Sequence, residues 1–340
     1  MRKIGAFISG CAELTLTPQE KAFFSEARPW GLILFGRNCS SPEQLKMLTT
    51  EFRLLVGRKD APVFIDQEGG RVQRMAPPNY HWRKYPSASQ FGKLYATCPI
   101  HALRAARYVG RLMAEDLIAA GITVNCLPVL DLPLAGADAI ISDRAYGGSS
   151  EVTLALSRAH VAGFMDAGVL PVMKHIPGHG RANVDSHKEL PVVSAERVVL
   201  ENFDFRPFAG FADCPMAMTA HVVYTAIDAK NPATQSRKVI RDVIRNQIGF
   251  NGLLMTDDLS MKALTGSFTE KTQKSLDAGC DIVLHCNGVM AEMQEVAAAA
   301  GVLRGKALAR AKTALRWRRK AVAFDEQRAL NDLGHVLSLA

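Results

Sequence analysis

The chain has 340 residues, 48% hydrophobic and 22% charged, with a formal net charge of +8. This is an ordinary globular composition, long enough to bury a sizeable core, and it excludes a disordered or low-complexity protein. No apolar run approaches the roughly 20 residues that a spanning helix needs, so membrane insertion is not expected.

The first residues, Met1 to Gly10, carry too short an apolar run for a secretory leader and read as a first strand. Thr17, Pro18 and Glu20 are the grammar of a helix start: N-cap, N1 proline and capping-box glutamate. Gly31 to Phe35 is a short, wholly apolar run, hence a buried strand. Ser41-Pro42-Glu43-Gln44 opens the next helix, with Leu45, Leu48, Phe52 and Leu55 at helical spacing. Pro62 to Ile65 is a strand ending in Asp66-Gln67-Glu68-Gly69-Gly70-Arg71. Ala88 to Ala120 reads as helix broken near Pro99, and Ile122 to Leu130 as a strand ending at Asp131. Ser150 to Ala167 is a helix that Gly168 can stop. Val169 to Met173 is a strand feeding a polar loop. Ser194 to Phe211, Ser236 to Ile248 and Thr269 to Ala278 read as helices. Strands are expected at Met216 to Ala220, Gly252 to Met255 and Asp281 to His285, with two helices finishing the chain.

Strand, loop and helix therefore alternate about eight times. The expected fold class is α/β, a single (β/α)₈ barrel of the TIM type occupying residues 1–340 as one domain. No G-x-G-x-x-G follows the first strand, which argues against a doubly wound dinucleotide fold. The seven cysteines are odd in number and form no C-x-x-C. They read as reduced, buried thiols of a cytoplasmic protein. Much of the positive charge lies in Arg304 to Lys320, with Trp317 the one aromatic there. A solvated helix face explains it better than nucleic-acid binding.

The chemistry-bearing residues fall at strand ends: Asp66, Asp131, Lys174, His175, His221, Asp257 and Asp258. In a barrel those ends converge on the face that holds the site. Asp257 leaves a buried strand and can be a nucleophile, a metal ligand or a cation anchor. Asp258 can cap the following turn. In the loop after the fifth strand, Asp185 and His187 are two apart and can face the same way. A carboxylate on one imidazole nitrogen raises the basicity of the other, the make-up of a general acid/base, or else Asp185 simply caps a turn. His175 and His179 are four apart, but Pro177 and Gly178 lie between them, so they share no helical face. No catalytic metal and no organic cofactor are expected. Lys174, Arg71, Arg74 and Arg144 can bind hydroxyls or close structural ion pairs.

At these residues the chain resembles a family. Lys174-His175-Ile176-Pro177-Gly178-His179-Gly180 with Asp185-Ser186-His187 resembles the signature of family 3 glycoside hydrolases of the β-N-acetylglucosaminidase (β-hexosaminidase) type. Ile65-Asp66-Gln67-Glu68-Gly69-Gly70-Arg71-Val72-Gln73-Arg74, Asp143-Arg144-Ala145-Tyr146-Gly147, Thr219-Ala220-His221-Val222 and Thr256-Asp257-Asp258-Leu259-Ser260-Met261 match in the same order. Ile176 replaces a common phenylalanine, and Arg181-Ala182-Asn183-Val184 before Asp185 also departs from the pattern. Neither removes a reacting group.

The resemblance implies a retaining exo-glycosidase of the bacterial cytoplasm that acts in peptidoglycan recycling. It would release terminal N-acetylglucosamine from muropeptides. It implies Asp257 as nucleophile, His187 as acid/base with Asp185 as its partner, and sugar contacts from Asp66, Arg74, Arg144, Lys174 and His175. Larger family members bring a carboxylic acid/base on a second domain. The length here leaves no room for one, which points to His187. The implied partner is a carbohydrate substrate, with a monomer as the expected state. Chitin fragments, glycolipids and a phosphorylase activity remain as alternatives. His187 is expected to swing on a loop whose two halves are joined by glycines. His179 is read as structuring that loop.

Overall fold

A computed structural model describes residues 3–78, 80–134, 141–182, 184, 186 and 188–337. Eight strand positions follow one another around a ring: β1 Gly5–Ser9, β2 Pro29–Leu34, β3 Val63–Ile65, β4 Val124–Asn125, β5 Leu170–Pro171 and Met173–Ile176, β6 Met216–Thr219, β7 Leu253–Asp258 and β8 Ile282–His285. Every ladder between them is parallel. The two segments of β5 pair on opposite sides, the first with β4 and the second with β6, and β8 returns to β1. The ring is therefore the expected (β/α)₈ barrel. Its strand residues are almost all buried, as apolar runs covered on both faces must be.

Helices wrap the outside. The expected starts are present. Thr17 caps α1 (Pro18–Ala27) with a full capping box to Glu20, and Ser41 caps α2 (Pro42–Val56) by accepting from the Gln44 N–H. Pro99 separates α3 (Ala88–Thr97) from α4 (Pro99–Ala119). The α4 helix packs backbone to backbone on α5 (Ser150–Ala167). A Cβ on Gly163 would stand 2.2 Å from the Arg107 carbonyl oxygen.

Four details differ from the sequence reading. β4 is only two residues long, because Pro128 has no N–H to continue the ladder. Residues 127–130 still run alongside β5, with the Leu130 N–H donating to the Lys174 carbonyl at 2.8 Å. The region after β5 is a broken helix, α6, of segments Arg197–Val199, Leu200–Asp204 and Arg206–Ala209, its middle turn wide. The helix after β6, α7 (Val239–Gln247), is wide throughout. After α8 (Phe268–Ala278), three helices rather than two follow β8: α9 (Met290–Ala300), α10 (Gly305–Arg316) and α11 (Glu326–Leu337). No helix among the described residues is long and apolar enough to cross a membrane. Six of the seven cysteines are buried, and Cys98 is half-buried.

Two local devices matter for the site. A small hairpin, Gln67–Gly69 against Val72–Gln73, follows β3 directly. The Asn125 side chain holds it. Its amide oxygen accepts from the Gln67 N–H at 3.0 Å and its amide NH₂ donates to the Gln67 carbonyl at 2.8 Å. Asn125 is fully buried, so it acts as a short stretch of extra strand. The second device is a pair of bulges. Between β5 and β6 the register slips at His175, and between β7 and β8 it slips at Thr256–Asp257. A bulge re-aims a side chain at a strand end.

Truncating Asn125 to alanine leaves two buried backbone groups of Gln67 unpaired. At about 1–3 kcal/mol for each such group, Asn125→Ala is expected to lose a few kcal/mol in denaturant unfolding. A loss no larger than that of an exposed alanine substitution counts against the splint.

Candidate active site

The carboxyl ends of the strands open onto one cavity of about 260 Å³. Ligand clefts usually start near 300 Å³, so this one suits a single small ring rather than a long chain. Asp66, Arg74, Arg144, Lys174, His175 and Asp257 all line it. Six of the eight residues singled out from the sequence thus share one cavity. Asp185 and His187 lie outside the described residues. Ser186, which stands between them in the chain, is buried and lines the same cavity.

One wall is an ion cluster. The Lys174 ammonium lies 2.7 Å from Asp66 and 2.6 Å from Glu68. Arg144 grips Glu68 with two parallel bonds of 2.8 Å. Arg74 reaches Asp66 at 3.2 Å. Burial alone would raise the Asp66 carboxyl, but Lys174 and Arg74 hold it well below the usual carboxylate range. Burial also works against the Glu68 carboxylate, and Arg144 and Lys174 outweigh it, bringing its pKa down to about 2. Lys174 is buried on every side, yet the two carboxylates raise its pKa above the ordinary lysine value. At the rim, the guanidinium groups of Arg37 and Arg74 lie 5.0 and 5.2 Å from the Phe35 ring centre.

The sequence reading passed over Glu68. The signal was there: residues 66 and 68 are two apart on an extended segment and share a face. The hairpin that sets that face was not legible, because its splint, Asn125, comes from another strand.

The opposite wall is a relay of imidazoles and carboxylates. Asp131 is fully buried at the end of the fourth strand segment. It accepts from the His175 ring Nδ1–H at 2.6 Å and from the His179 backbone N–H at 2.6 Å. That leaves His175 Nε2 pointing at Asp257 Oδ2, 4.0 Å away. Burial opposes the charge on Asp257, but the neighbouring His175 and His221 imidazoles outweigh it, and its pKa stays below the ordinary carboxylate value. Asp131 is held low in the same way, with His175 the leading counterweight to burial. Burial first, then His175, brings the His179 imidazole down to about 4, so it is neutral at pH 7.

The remaining strand-end groups are structural. His221 is fully buried beneath the cavity, and its Nε2–H donates to the Asp258 carbonyl at 3.1 Å. Asp258 Oδ1 accepts from the N–H groups of Ser260 and Cys286, both at 3.1 Å, so it does cap the following turn. Among the described residues, no group of three or more His, Cys, Asp or Glu is placed to hold a metal ion.

The cluster has a stability signature. A carboxylate whose pKa is depressed in the fold stabilises it above the unfolded value, and that contribution is lost as pH falls through the folded value. For Glu68 the window runs from 4.5 down to about 2. Glu68→Gln is expected to cost about 3 kcal/mol at pH 7, since it leaves buried cations short of a partner. It should also flatten the fall of thermal midpoint across that acid window. An unchanged midpoint-versus-pH curve would count against the cluster as drawn.

Comparison with known proteins identifies the family. Residues 13–317 match the glycosyl hydrolase family 3 N-terminal domain. A β-hexosaminidase of Alkalilimnicola ehrlichii is 39% identical over 288 residues, covering 84% of this chain and 81% of the relative. The crystal structure of native NagZ from Neisseria gonorrhoeae superposes with a TM-score of 0.87 at 31% identity, covering 98% of each chain. The same Neisseria protein in complex with N-trifluoroacetyl-D-glucosamine also gives a TM-score of 0.87 at 31% identity, covering 99% of this chain and 98% of that one. The chain belongs to glycosyl hydrolase family 3, and it is a glycoside hydrolase.

Proposed function

We propose that this protein is a retaining exo-β-N-acetylglucosaminidase that works through a covalent glycosyl–Asp257 intermediate, with His187 as acid/base and Asp185 as its partner. The observation that carries the reading is the state of Asp257. It is an ionised carboxylate in a one-ring cavity, re-aimed by a bulge and faced by His175 Nε2 at 4.0 Å. In the first step a carboxylate oxygen of Asp257 attacks C1 of the terminal sugar. The imidazolium of His187 gives its proton to the leaving oxygen, and the C1–O bond breaks. In the second step neutral His187 takes a proton from water. The water attacks C1, releasing Asp257 with retained configuration. A neutral imidazole does not repel the carboxylate that is being released.

Asp66, Glu68, Lys174 and Arg144 offer the sugar hydroxyls a wall of fixed donors and acceptors, Arg74 completes it, and His175 contacts the sugar from the facing wall. The family relatives, β-hexosaminidases and NagZ, support an N-acetylglucosaminide substrate. We place the reaction on muropeptides from the cell wall, in the cytoplasm, where free buried thiols persist.

A fluorinated N-acetylglucosaminyl donor with a good leaving group should leave a sugar adduct on the Asp257 peptide by mass spectrometry. Normal turnover with no adduct there would favour attack by the substrate's own N-acetyl oxygen and overturn the covalent step. Asp257→Ala should lose on the order of 10⁴-fold or more in kcat/KM. His187→Ala should lose about 10²–10⁴-fold on substrates with poor leaving groups. Release of a sugar phosphate in phosphate buffer would mark a phosphorylase instead. Faster turnover of chitin fragments than of an anhydromuropeptide would move the substrate assignment.

A further inference from the structure

The first half of the loop after β5 is anchored at each step. The Tyr224 hydroxyl donates to the Gly178 carbonyl. The His179 N–H donates to Asp131 at 2.6 Å. Gly180 lies flat on the loop that follows β4, where a Cβ would come within 1.9 Å of the Leu132 carbonyl oxygen. Arg181 pairs with Asp204 at 2.6 Å. These glycines allow close packing, so this half is a fixed base and not a hinge.

From that base the His179 ring reaches forward. Its Nε2 lies 3.2 Å from Ser186 Oγ. Both residues are buried, and both line the cavity. Among the described residues, the buried ring Nδ1 has no hydrogen-bond partner. A buried N–H left unpaired costs about 1–3 kcal/mol, so the proton belongs on Nε2, which donates to the Ser186 hydroxyl. Ser186 has a second tie, because its carbonyl accepts from the Ala263 N–H at 3.2 Å. Ala263 belongs to the segment that leaves Asp257. The residue between Asp185 and His187 is thus tied at once to the base of its own loop and to the nucleophile's loop.

We propose that His179 is a positioning residue for the acid/base: through Ser186 it sets where Asp185 and His187 stand relative to Asp257. The inference rests on the acid/base reading of His187. His179 takes no proton in the reaction, being neutral and already bonded. Its role is to hold the peptide on which the proton donor is mounted. This gives the second histidine of the loop a function distinct from sugar binding and from metal ligation.

Leaving-group dependence tests it. An aryl N-acetylglucosaminide with a dinitrophenolate leaving group departs without a proton, whereas one with plain phenol needs the acid. His179→Ala and Ser186→Ala are expected to lose tenfold or more in kcat/KM on the phenyl substrate but less than about threefold on the dinitrophenyl one, within the range of acid catalysis. Added azide, which attacks C1 of the ester without base assistance and breaks the C1–O bond to Asp257, should raise dinitrophenyl turnover in these variants and yield the glycosyl azide. Ser186→Thr keeps the hydroxyl and should stay near wild type, which separates a lost bond from a misfolded loop.

Equal losses on both substrates, or a rise in KM alone, would overturn the proposal in favour of sugar binding or a general structural role. So would no loss at all. His187→Ala is the control on the parent reading. If it shows no leaving-group dependence, the acid/base assignment fails and the proposal falls with it. If it shows a strong dependence that His179→Ala lacks, only the positioning role fails.

Discussion

A buried, charge-balanced cluster holds the mouth of this barrel together. Asp66 and Glu68 follow β3, Lys174 lies in β5, and Arg144 comes from the loop that follows β4. Each ion alone would be expensive in the interior, where desolvating a single charge costs several kcal/mol. Together they are affordable only in one arrangement, because each must keep its partners within bonding distance. The cluster therefore fixes the relative positions of three chain segments more sharply than apolar packing could. Hydrophobic contacts tolerate small slides, whereas a bidentate Arg144–Glu68 bond does not.

The barrel contributes the second constraint. Strand alternation would send Lys174 and His175 to opposite faces. The register slip at His175 lets both line the cavity. The matching slip at Thr256–Asp257 turns Asp257 towards His175. Two irregularities in two strands thus face a carboxylate with an imidazole across the mouth. Asp131, beneath them, fixes the tautomer by accepting a hydrogen bond from His175 Nδ1–H, so the other nitrogen is the one presented.

How much of this was legible in the sequence depends on whether the signal was local. The apolar runs, the capping box at Thr17, the N-cap at Ser41, and the stop at Gly168 are written within a few residues, and the (β/α)₈ order followed from them. The strand-end polar residues were legible for the same reason. Glu68, Asp131 and Asn125 were not given their roles, because each acts through a partner 44 or more residues away. The short β4 hid behind an apolar run that Pro128 interrupts. The glycines of the loop misled in a different way. Their sequence signature is freedom, but Gly180 is there because Leu132 leaves no room for a Cβ.

The distribution of cations across the cavity bears on the chemistry. Lys174, Arg144 and Arg74 all have a carboxylate partner in Asp66 or Glu68. Among the described residues, Asp257 makes no ion pair with a lysine or arginine within 4 Å; it is faced by His175, and the Asp258 N–H donates to it at 2.8 Å. A carboxylate clamped by arginine would be a poor nucleophile, since bonding to carbon would have to break the clamp. A carboxylate free of such a clamp, yet kept ionised by its surroundings, can respond to positive charge growing on a sugar ring. Committing the cations to Asp66 and Glu68 does both jobs. Under the mechanism proposed above, they would build a rigid polar wall for the sugar and leave Asp257 as the negative group that answers the charge developing at C1.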